Sequence, residues 1–534
     1  LKTSNVIIRH SARTLVLIGI VVAVVLLFVK TVPTGFLPDE DQGYLMADIQ
    51  LPNAASLGRT QEVIDQLQEV LSKNDNIQSV TAAAGFSLLS GTEAPNSGLV
   101  FIRLKDYKQR KMTADEISDM LNGELYEAIN SAEVFTFGPP SIPGLGPGSG
   151  FTIMIQDKGG NTPQYLAQYT DKFIGEARKR PEIASISTLY QADIPQKAIR
   201  INNEKVLKAG VSLQDLHEKI SAYLGGSYVN NFNRFGRMYQ TYIQAASEYR
   251  LTQSDLDLFY ITNNRGESLP IASFITVKDT TGPQYTNRFN LYSTITANVN
   301  PAEGYSSGEV QKVIEEVASQ TLPSGYGYEY GGMAREEASS SGAQTVFIYA
   351  ICIFLIYLIL ACLYESFLVP FAVIFSVPFG LMGSFLFAKI FGLENNIYLQ
   401  TGVIMLIGLL AKTAILITEY AIERRRKGMG IVESAYSAAQ VRLRPILMTV
   451  LTMIFGMLPL MFSSGAGANG NSSLGTGVVG GMAVGTLALL FVVPVFYIIF
   501  EYLQEKIRKP MEEEADVQVM LEQERSAAER GDVE

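Results

Sequence analysis

The sequence contains few of the residues that form disulfide bonds and histidine metal sites. Its 534 residues include two cysteines and two histidines. Cys352 and Cys362 are ten positions apart in one apolar run, and in a helix this spacing is roughly 15 Å, too long for a disulfide bond. His10 and His217 cannot form a histidine cluster, so the sequence predicts no metal site and implies no cofactor.

Nucleic acid and ATP are also poor matches for this sequence. The net charge of −10 argues against a nucleic-acid partner, because such partners require basic surfaces. Ala411-Lys412-Thr413 superficially resembles the end of a phosphate-binding P-loop, but Leu406 and Ala411 replace both required glycines. ATP hydrolysis is therefore not expected. If the chain transports a solute, we expect an ion gradient to supply the energy.

Long apolar runs are the main feature that is present. Residues 397–418, IYLQTGVIMLIGLLAKTAILIT, are long enough to cross a hydrocarbon core of about 30 Å. They carry one charge, Lys412, near the middle. A lysine there costs at least about 2.5 kcal/mol, so we expect it to be functional and to need a partner. The structural alternatives are a side chain that reaches the membrane interface and a static buried ion pair.

Further apolar runs predict a membrane bundle. They cover residues 14–29, 343–364, 366–387, 445–462 and 477–500. Lysine and arginine cluster at alternate ends of the runs, on the side of the basic N-terminal flank, which the positive-inside rule assigns to the cytoplasm. We therefore predict six transmembrane helices with one large extracytoplasmic loop between the first and the second. A buried soluble helix is the alternative for residues 14–29.

The large loop predicts an α+β region. Short alternating stretches such as YLMADIQL (44–51) are followed by amphipathic helical patterns, which is typical of split βαβ units, the ferredoxin-like arrangement. The predicted organisation is a first helix with its cytoplasmic flank, two α+β subdomains, an inserted subdomain with a hairpin, five further helices and an acidic cytoplasmic tail. In that order these are residues 1–32, 33–138, 139–203 with 286–340, 204–285, 341–509 and 510–534.

The lysine also predicts something outside the sequence. None of the six apolar runs contains an acidic residue, and Glu419 is two turns away from Lys412. A buried ammonium group without a counter-charge tends to lose its proton. Its carboxylate partners are therefore expected on helices that this sequence does not contain, and the start at Leu1 also suggests part of a longer protein. Arg442 and Thr449 are seven residues apart, on one helix face, and could continue a proton or water path.

Two packing features are predicted for the later helices. Pro445 is expected at a helix start, where its missing N–H does no harm. Gly477, Gly481 and Gly485 recur at four-residue spacing and predict a small-residue face for close helix packing.

Five segments together resemble the C-terminal half of resistance-nodulation-division (RND) pumps, in the hydrophobe/amphiphile (multidrug) efflux branch of Gram-negative bacteria. They are GFLPDEDQGYL (35–45), GGSYVNNFNRFGR (225–237), LIGLLAKTAILITEYA (406–421), RLRPILMT (442–449) and GTGVVGGM (475–482). The resemblance implies a homotrimer of chains with two six-helix halves. It also implies that the α+β subdomains are porter subdomains and that 204–285 is the docking subdomain.

The resemblance also assigns candidate site residues. The family's relay lysine, arginine and threonine match Lys412, Arg442 and Thr449, and its relay aspartates belong to the absent half. The segment 84–91 resembles the family's switch loop. The implied substrate pocket consists of Phe86, Leu88, Phe101, Phe135 and Phe137, although Leu88 and Thr81 replace common phenylalanines and the loop is about two residues longer. The implied docking residues are Gly225, Gly226, Tyr228, Asn230 and Phe232.

The sequence as a whole predicts a proton-driven exporter of amphiphilic compounds in the bacterial inner membrane, with a large periplasmic region. Implied partners are the N-terminal half of the pump, two further protomers, a periplasmic adaptor protein and an outer-membrane channel. Three alternatives remain: efflux of metal cations, a protein-translocation accessory and a scaffold without transport activity. Scattered methionines and scarce histidine count against the first, and the insert and aromatic pocket count against the second.

Overall fold

The computed structural model describes residues 11–146, 148–302, 304–340 and 343–507. Its first elements are α1 (Ser11–Thr31), β1 (Tyr44–Gln50), α2 (Leu57–Ser72), β2 (Ile77–Ser87), β3 (Thr92–Leu104), α3 (Ala114–Ala128) and β4 (Glu133–Phe137). Next come β5 (Phe151–Asp157), α4 (Pro163–Ala177), β6 (Ile183–Ser187), β7 (Ile194–Ile201), α5 (Asn203–Lys208), α6 (Leu213–Leu224), β8 (Ser227–Arg234), β9 (Arg237–Ile243), β10 (Tyr260–Thr262), β11 (Ser268–Pro270) and β12 (Ile275–Gly282). The last are β13 (Asn287–Phe289), β14 (Tyr292–Pro301), α7 (Ser307–Thr321), β15 (Tyr326–Gly331), α8 (Gly332–Ser340), α9 (Ala343–Tyr364), α10 (Pro370–Ile374), α11 (Val377–Ile390), α12 (Ile397–Arg426), α13 (Ile431–Met461) and α14 (Ala468–Ile507). The predicted acidic tail, 510–534, lies outside the described residues.

β1 lies inside a four-stranded antiparallel sheet with the strand order β2-β3-β1-β4. Its sequence alternates, and Leu45, Ala47 and Ile49 pack with α2 and α3 in one buried core. Ser56 and Thr113 cap the N-termini of these two helices with their side chains. The helices therefore cover one face of the sheet, and the other residues of β1 point to the opposite face.

A second sheet repeats this connectivity. β14 pairs with β5, β5 pairs with β15, and β13 and β6 both pair with β14. The second sheet is built from two strand-helix-strand units, β5-α4-β6 and β14-α7-β15. They correspond to the units β1-α2-β2 and β3-α3-β4 of the first sheet. Ile153, Ile155, Phe173, Ile295 and Ile314 are buried on these strands and helices.

Residues Tyr190–Thr286 form a separate compact unit. It contains three antiparallel strand pairs, β7 with β12, β8 with β9 and β10 with β11. Its small core includes Val206, Leu216, Ile261 and Ile271.

Five candidate spans among the described residues are long and apolar enough to cross a membrane. They are Val346–Tyr364, Pro370–Ile390, Ile397–Arg426, Ile431–Met461 and Ala468–Ile507. The second comprises α10 and α11, two separate helices that replace the single predicted run 366–387 and extend to Ile390. The last, α14, has 40 residues and is longer than the predicted run 477–500. It packs against α11, α12 and α13, so it is the central helix of the bundle.

The predicted small-residue face of α14 is confirmed. A Cβ built on Gly477 would lie 2.6 Å from Leu399 Cδ1, and one on Gly485 would lie 2.9 Å from Gly380 Cα. A Cβ on Gly481 would overlap the side chain of Leu406. Glycine at these positions therefore lets α14 approach α11 and α12 at close to backbone contact.

The prediction that Pro445 begins a helix is wrong. α13 starts at Ile431, so Pro445 lies inside the helix. The preceding residues, IVESAYSAAQV, contain alanines that favour helix, and Ala435 and Ala438 are fully buried in the bundle core. Packing of this first segment therefore extends the helix toward its N-terminus, across Arg442 and Arg444.

Candidate functional site

α12 has one face that the rest of the chain leaves uncovered. Its exposed positions recur at intervals of three, four or seven residues and are, from Thr401 onward, Thr401, Met405, Gly408, Lys412, Glu419, Glu423 and Arg426. Other residues of α12, including Leu406, Leu410 and Ile417, are buried in the bundle core. The exposed stripe thus carries the charged residues Lys412, Glu419 and Glu423, whereas the buried positions of the helix are mostly apolar.

Lys412 belongs to this stripe. The sequence predicted a lysine deep in apolar surroundings, but its side chain is exposed on the surface of the bundle formed by this chain. Among the residues that the structure describes, it forms no ion pair. The hydrophobicity of a helix sequence does not indicate which face of the helix lies against other helices of the same chain. The sequence therefore did not predict that Lys412 would be exposed.

Arg442 and Arg424 enclose one aromatic ring near the end of α12. The guanidinium carbon of Arg442 lies 4.8 Å from the ring centroid of Tyr420, and that of Arg424 lies 5.0 Å from it. Arg424 also donates a 2.6 Å hydrogen bond to the Tyr420 hydroxyl. The buried Nε of Arg442 has no hydrogen-bond partner within the described part of the chain. Contact with the Tyr420 ring therefore holds Arg442 in place, and its Nε–H group remains available to donate a hydrogen bond.

Thr449 lies at about the same height in the bundle as Lys412. α12 and α13 are joined by a short turn and run antiparallel, with Arg442 beside Tyr420. Lys412 is about 12 Å from Tyr420 along α12, and Thr449 is about 10 Å from Arg442 along α13. The Thr449 hydroxyl donates a 2.9 Å hydrogen bond to the Pro445 carbonyl. Lys412 and Thr449 thus lie level on neighbouring helices, both exposed.

The first sheet brings three of the predicted pocket phenylalanines to one face. Met46 of β1 pairs with Phe101 on one side and Phe137 on the other, and Asp48 pairs with Phe135. The ring centroids of Phe135 and Phe137 are 6.0 Å apart. Directly opposed residues of a sheet share a face, so these rings form one aromatic surface opposite the helices. We call Met46, Phe101, Phe135 and Phe137 the aromatic face.

The other two pocket residues belong to the β2–β3 connection. Phe86 is the penultimate residue of β2 and pairs with Glu93, and Leu88 follows β2 in the turn. Between them, Ser87 donates a 3.0 Å hydrogen bond to Oδ1 of Asp48. This bond joins the loop to the strand that carries the aromatic face.

Asp48 was not among the predicted site residues. It is fully buried although it is a carboxylate. The signal in the sequence is a single charge in the otherwise uncharged strand YLMADIQL.

The predicted docking residues lie on the hairpin of β8 and β9 and at its base. Tyr228, Val229, Phe232 and Phe235 are between 49% and 83% exposed, and most other hairpin side chains are also exposed. Gly226 has φ +92°, a conformation that favours glycine, at the entry to β8. The docking set is Gly225, Gly226, Tyr228, Asn230 and Phe232. Two pairs of aromatic rings meet across the hairpin, Tyr228 with Tyr242 and Phe232 with Tyr239.

The motif GFLPDED connects the first sheet with the membrane-type helices. Glu40 accepts hydrogen bonds of 2.7 Å and 3.3 Å from the backbone N–H groups of Gly470 and Asn469, at the N-terminus of α14. A carboxylate there complements the positive end of the helix dipole. Asp41, the next residue, forms a 2.7 Å ion pair with Arg110 and accepts a 2.9 Å hydrogen bond from the N–H of Ala114, the first residue of α3. The adjacent residues Glu40 and Asp41 thus bind two different helices, α14 and α3.

A cavity of about 430 Å³ lies beside this motif. Its lining includes the carboxyl groups of Asp39, Asp115, Glu337 and Glu394. Partial removal from water raises the pKa of all four groups. Burial and the like charges of Glu337, Asp39 and Glu309 raise the pKa of Glu394 to about 7. The cavity therefore contains a carboxyl group that exchanges a proton near neutral pH.

Replacing Asp41 with asparagine is expected to destabilise the first sheet by about 3 kcal/mol, because it leaves Arg110 buried without its counter-charge. Burial opposes ionisation of Asp41, but hydrogen bonds from Arg110, Ala114 and Gly43 outweigh it and hold its pKa below the usual 3.8. The ion pair with Arg110 therefore stabilises the fold at pH values above 3.8. This stabilisation is lost as the pH falls through the lowered pKa of Asp41. The variant lacks this acid-dependent loss.

Thermal unfolding of the purified protein between pH 3 and pH 8 measures both effects. Glu69→Gln is the matched control, because the Glu69–Lys73 pair is exposed and is worth less than about 0.5 kcal/mol. Equal midpoints for Asp41→Asn and Glu69→Gln would contradict the structural role of Asp41.

Comparison with known proteins shows one consistent similarity. Residues 2–501 match the AcrB/AcrD/AcrF family. The chain is 37% identical over 482 residues to the multidrug/solvent efflux pump membrane transporter MepB of Pseudomonas putida, covering 90% of this chain and 45% of MepB. It is 35% identical over 509 residues to the multidrug resistance protein MdtF of Escherichia coli K12, covering 94% of this chain and 49% of MdtF. It is 36% identical over 499 residues to the multidrug export protein AcrF of the same strain, covering 92% and 48%. The chain thus spans about half the length of these relatives.

Proposed function

Since the chain belongs to the AcrB/AcrD/AcrF family of efflux transporters, we propose that it forms the C-terminal half of a proton-driven RND pump. The pump exports hydrophobic and amphiphilic compounds from the inner membrane and the periplasm. α1, a 21-residue helix with a long uncharged run, joins the five other spans to form six. The region between α1 and α9 lies in the periplasm.

The observation that carries this proposal is the exposed position of Lys412. An ammonium group in the middle of a 30-residue apolar helix is costly in lipid unless it has a partner. Within the described residues it has no ion-pair partner, and it lies on a face that this chain leaves uncovered. We infer that carboxylates of the other half meet this face. Protonation of those carboxylates releases Lys412, and the helices then shift.

Arg442 and Thr449 take part in the same relay. Thr449 offers a hydroxyl at the height of Lys412, and the unpaired Nε of Arg442 offers a donor nearer the end of α12. The relay thus extends from the level of Lys412 to that of Tyr420.

The two sheets serve as ferredoxin-like porter subdomains. Their shared strand order and connectivity support this assignment, which uses residues 33–138 for one and 139–203 with 286–340 for the other. The aromatic face, together with Phe86 and Leu88, forms the substrate pocket. Glu40 and Asp41 transmit helix movements to this subdomain, because they bind α14 and α3 directly.

The subdomain at 204–285 mediates assembly. Its hairpin exposes aromatic side chains, and such rings are typical anchors of protein interfaces. We assign the hairpin residues Gly225, Gly226, Tyr228, Asn230 and Phe232 to contacts within a homotrimer. The trimer works with a periplasmic adaptor protein and an outer-membrane channel.

Transport by the complete pump in proteoliposomes tests this function. An imposed pH gradient should drive movement of the neutral dye Nile red, and an uncoupler should stop it within the same trace. Movement that persists after the gradient has been collapsed would contradict proton coupling, and movement driven by ATP would contradict the transporter class.

A further inference from the structure

Asp48 is a buried acid in an unusual position. It lies on β1 between Leu99 and Phe135, on the same side of the sheet as the aromatic face. Its neighbours along the strand on that side are Met46 and Gln50. The side chain has no exposed surface, although carboxylates are seldom fully buried without a partner.

The contacts of Asp48 satisfy only part of its carboxylate. Oδ1 accepts the hydrogen bond from Ser87, and the backbone N–H groups of Leu88 and Leu89 also favour the charged form. Oδ2 is buried and has no hydrogen-bond partner in the described part of the chain. An acceptor oxygen without a donor is costly in a buried site, so it favours an incoming donor or cation.

No cation of the chain fills this role among the described residues, because no ion pair includes Asp48. The charged or titratable groups on the same side of the sheet are Tyr44, with Arg103 opposite it, Glu133 opposite Gln50, and Glu93 near the loop. None of them contributes to the pKa of Asp48, which burial raises to about 7 while the bonds from Ser87, Leu89 and Leu88 oppose that rise.

We propose that Asp48 is the cation-recognition residue of the aromatic face, so that this pump selects amphiphiles with a positively charged group. The inference rests on the proposed function and names the substrate class of the same site. Because the carboxylate is fully buried, the turn that carries Ser87 must move before the charge of the substrate binds Oδ2, and the apolar body of the substrate then lies against Phe101, Phe135 and Phe137. Aromatic rings attract cations as well as apolar groups, and a desolvated carboxylate adds a charge preference that rings alone do not provide.

Binding of two fluorescent dyes to the complete trimer tests the proposal. Ethidium is a permanent cation, and Nile red is neutral, so a change in pH alters the protein but not the charge of either dye. Replacing Asp48 with asparagine retains an acceptor for Ser87 and removes the charge. At pH 8 we expect ethidium affinity to fall about 10-fold or more in the variant, while Nile red affinity stays within about twofold.

The pH dependence supplies a second readout. Because the pKa of Asp48 is near 7, the charged form predominates at pH 8 and is lost toward pH 5.5, so ethidium affinity in the unmodified pump should fall over that range. The Asp48→Asn variant should show no such change. Ser87→Ala keeps the carboxylate but removes a bond that favours its charge, so it should move the midpoint to higher pH.

Three results would overturn the proposal. These are unchanged ethidium binding in Asp48→Asn, an equal loss of both dyes in a variant that still elutes as a trimer, and a flat pH profile in the unmodified pump. If Asp48→Asn does not assemble, the direction of the Ser87→Ala shift decides. Failure of the unmodified pump to transport Nile red would instead contradict the proposed function.

Discussion

Replacing Lys412 with alanine in the complete pump is expected to reduce proton-driven export about 100-fold or more, without loss of assembly. The ammonium group is the cation that the carboxylates of the other half release and rebind, and a charge at the middle of a membrane helix is worth about 3 kcal/mol. Alanine preserves the helix and removes a costly group, so the bundle itself should not suffer. Dye movement in proteoliposomes under an imposed pH gradient measures the effect.

Lys389→Ala is the matched control for this variant. Lys389 is also a lysine of an apolar helix, but it lies in the last turn of α11, where its Nζ is 5.7 Å from the Phe28 ring centroid. A lysine at a helix end reaches the interface, so its loss should change export by no more than about twofold. Undiminished export by Lys412→Ala, with the same amount of trimer, would reject its role in coupling.

Replacing Gly383 with valine is expected to lower the free energy of unfolding by about 3 kcal/mol or more, the upper range for overpacking. A Cβ at this position would lie 2.5 Å from the Gly480 carbonyl oxygen and 2.7 Å from Val484 Cβ. These atoms belong to α14, whose position several other helices fix, so the clash cannot be relieved by one side chain. Thermal unfolding in detergent, with the yield of monodisperse protein, measures the loss.

Gly19→Val is the control for close packing. Gly19 is exposed on α1, and a Cβ there would meet no atom within 4 Å. Its replacement should leave the unfolding midpoint nearly unchanged. A Gly383→Val protein that unfolds at the same temperature as Gly19→Val would show that α11 and α14 are not held at backbone contact.

Local patterns in the sequence predict individual elements well. Alternation over 44–51 predicts β1, and the four-residue spacing of Gly477, Gly481 and Gly485 predicts the close approach of α14 to its neighbours. Pro445 shows the limit of such patterns. Burial of Ala435 and Ala438 against other helices decides where α13 begins, and this packing energy comes from residues distant in sequence.

The candidate site was only partly predictable for the same reason. A charge in an apolar run identifies Lys412, but the exposed face on which it lies depends on how α12 packs against the other membrane-type helices. The sequence contains Asp48, Asp41 and Arg110 without showing that Asp48 meets Ser87 or that Asp41 meets Arg110. Sheet register and loop closure create these contacts, and neither can be deduced from residue spacing.

The account depends most on the partner of Lys412. A structure of the complete pump would measure the distance from its Nζ to the nearest carboxylate oxygen. We predict an aspartate or glutamate of the other half within about 4 Å in at least one protomer, the usual limit for an ion pair. If every carboxylate lay more than about 8 Å away in all protomers, beyond the Debye length at physiological salt, direct coupling through Lys412 would be contradicted.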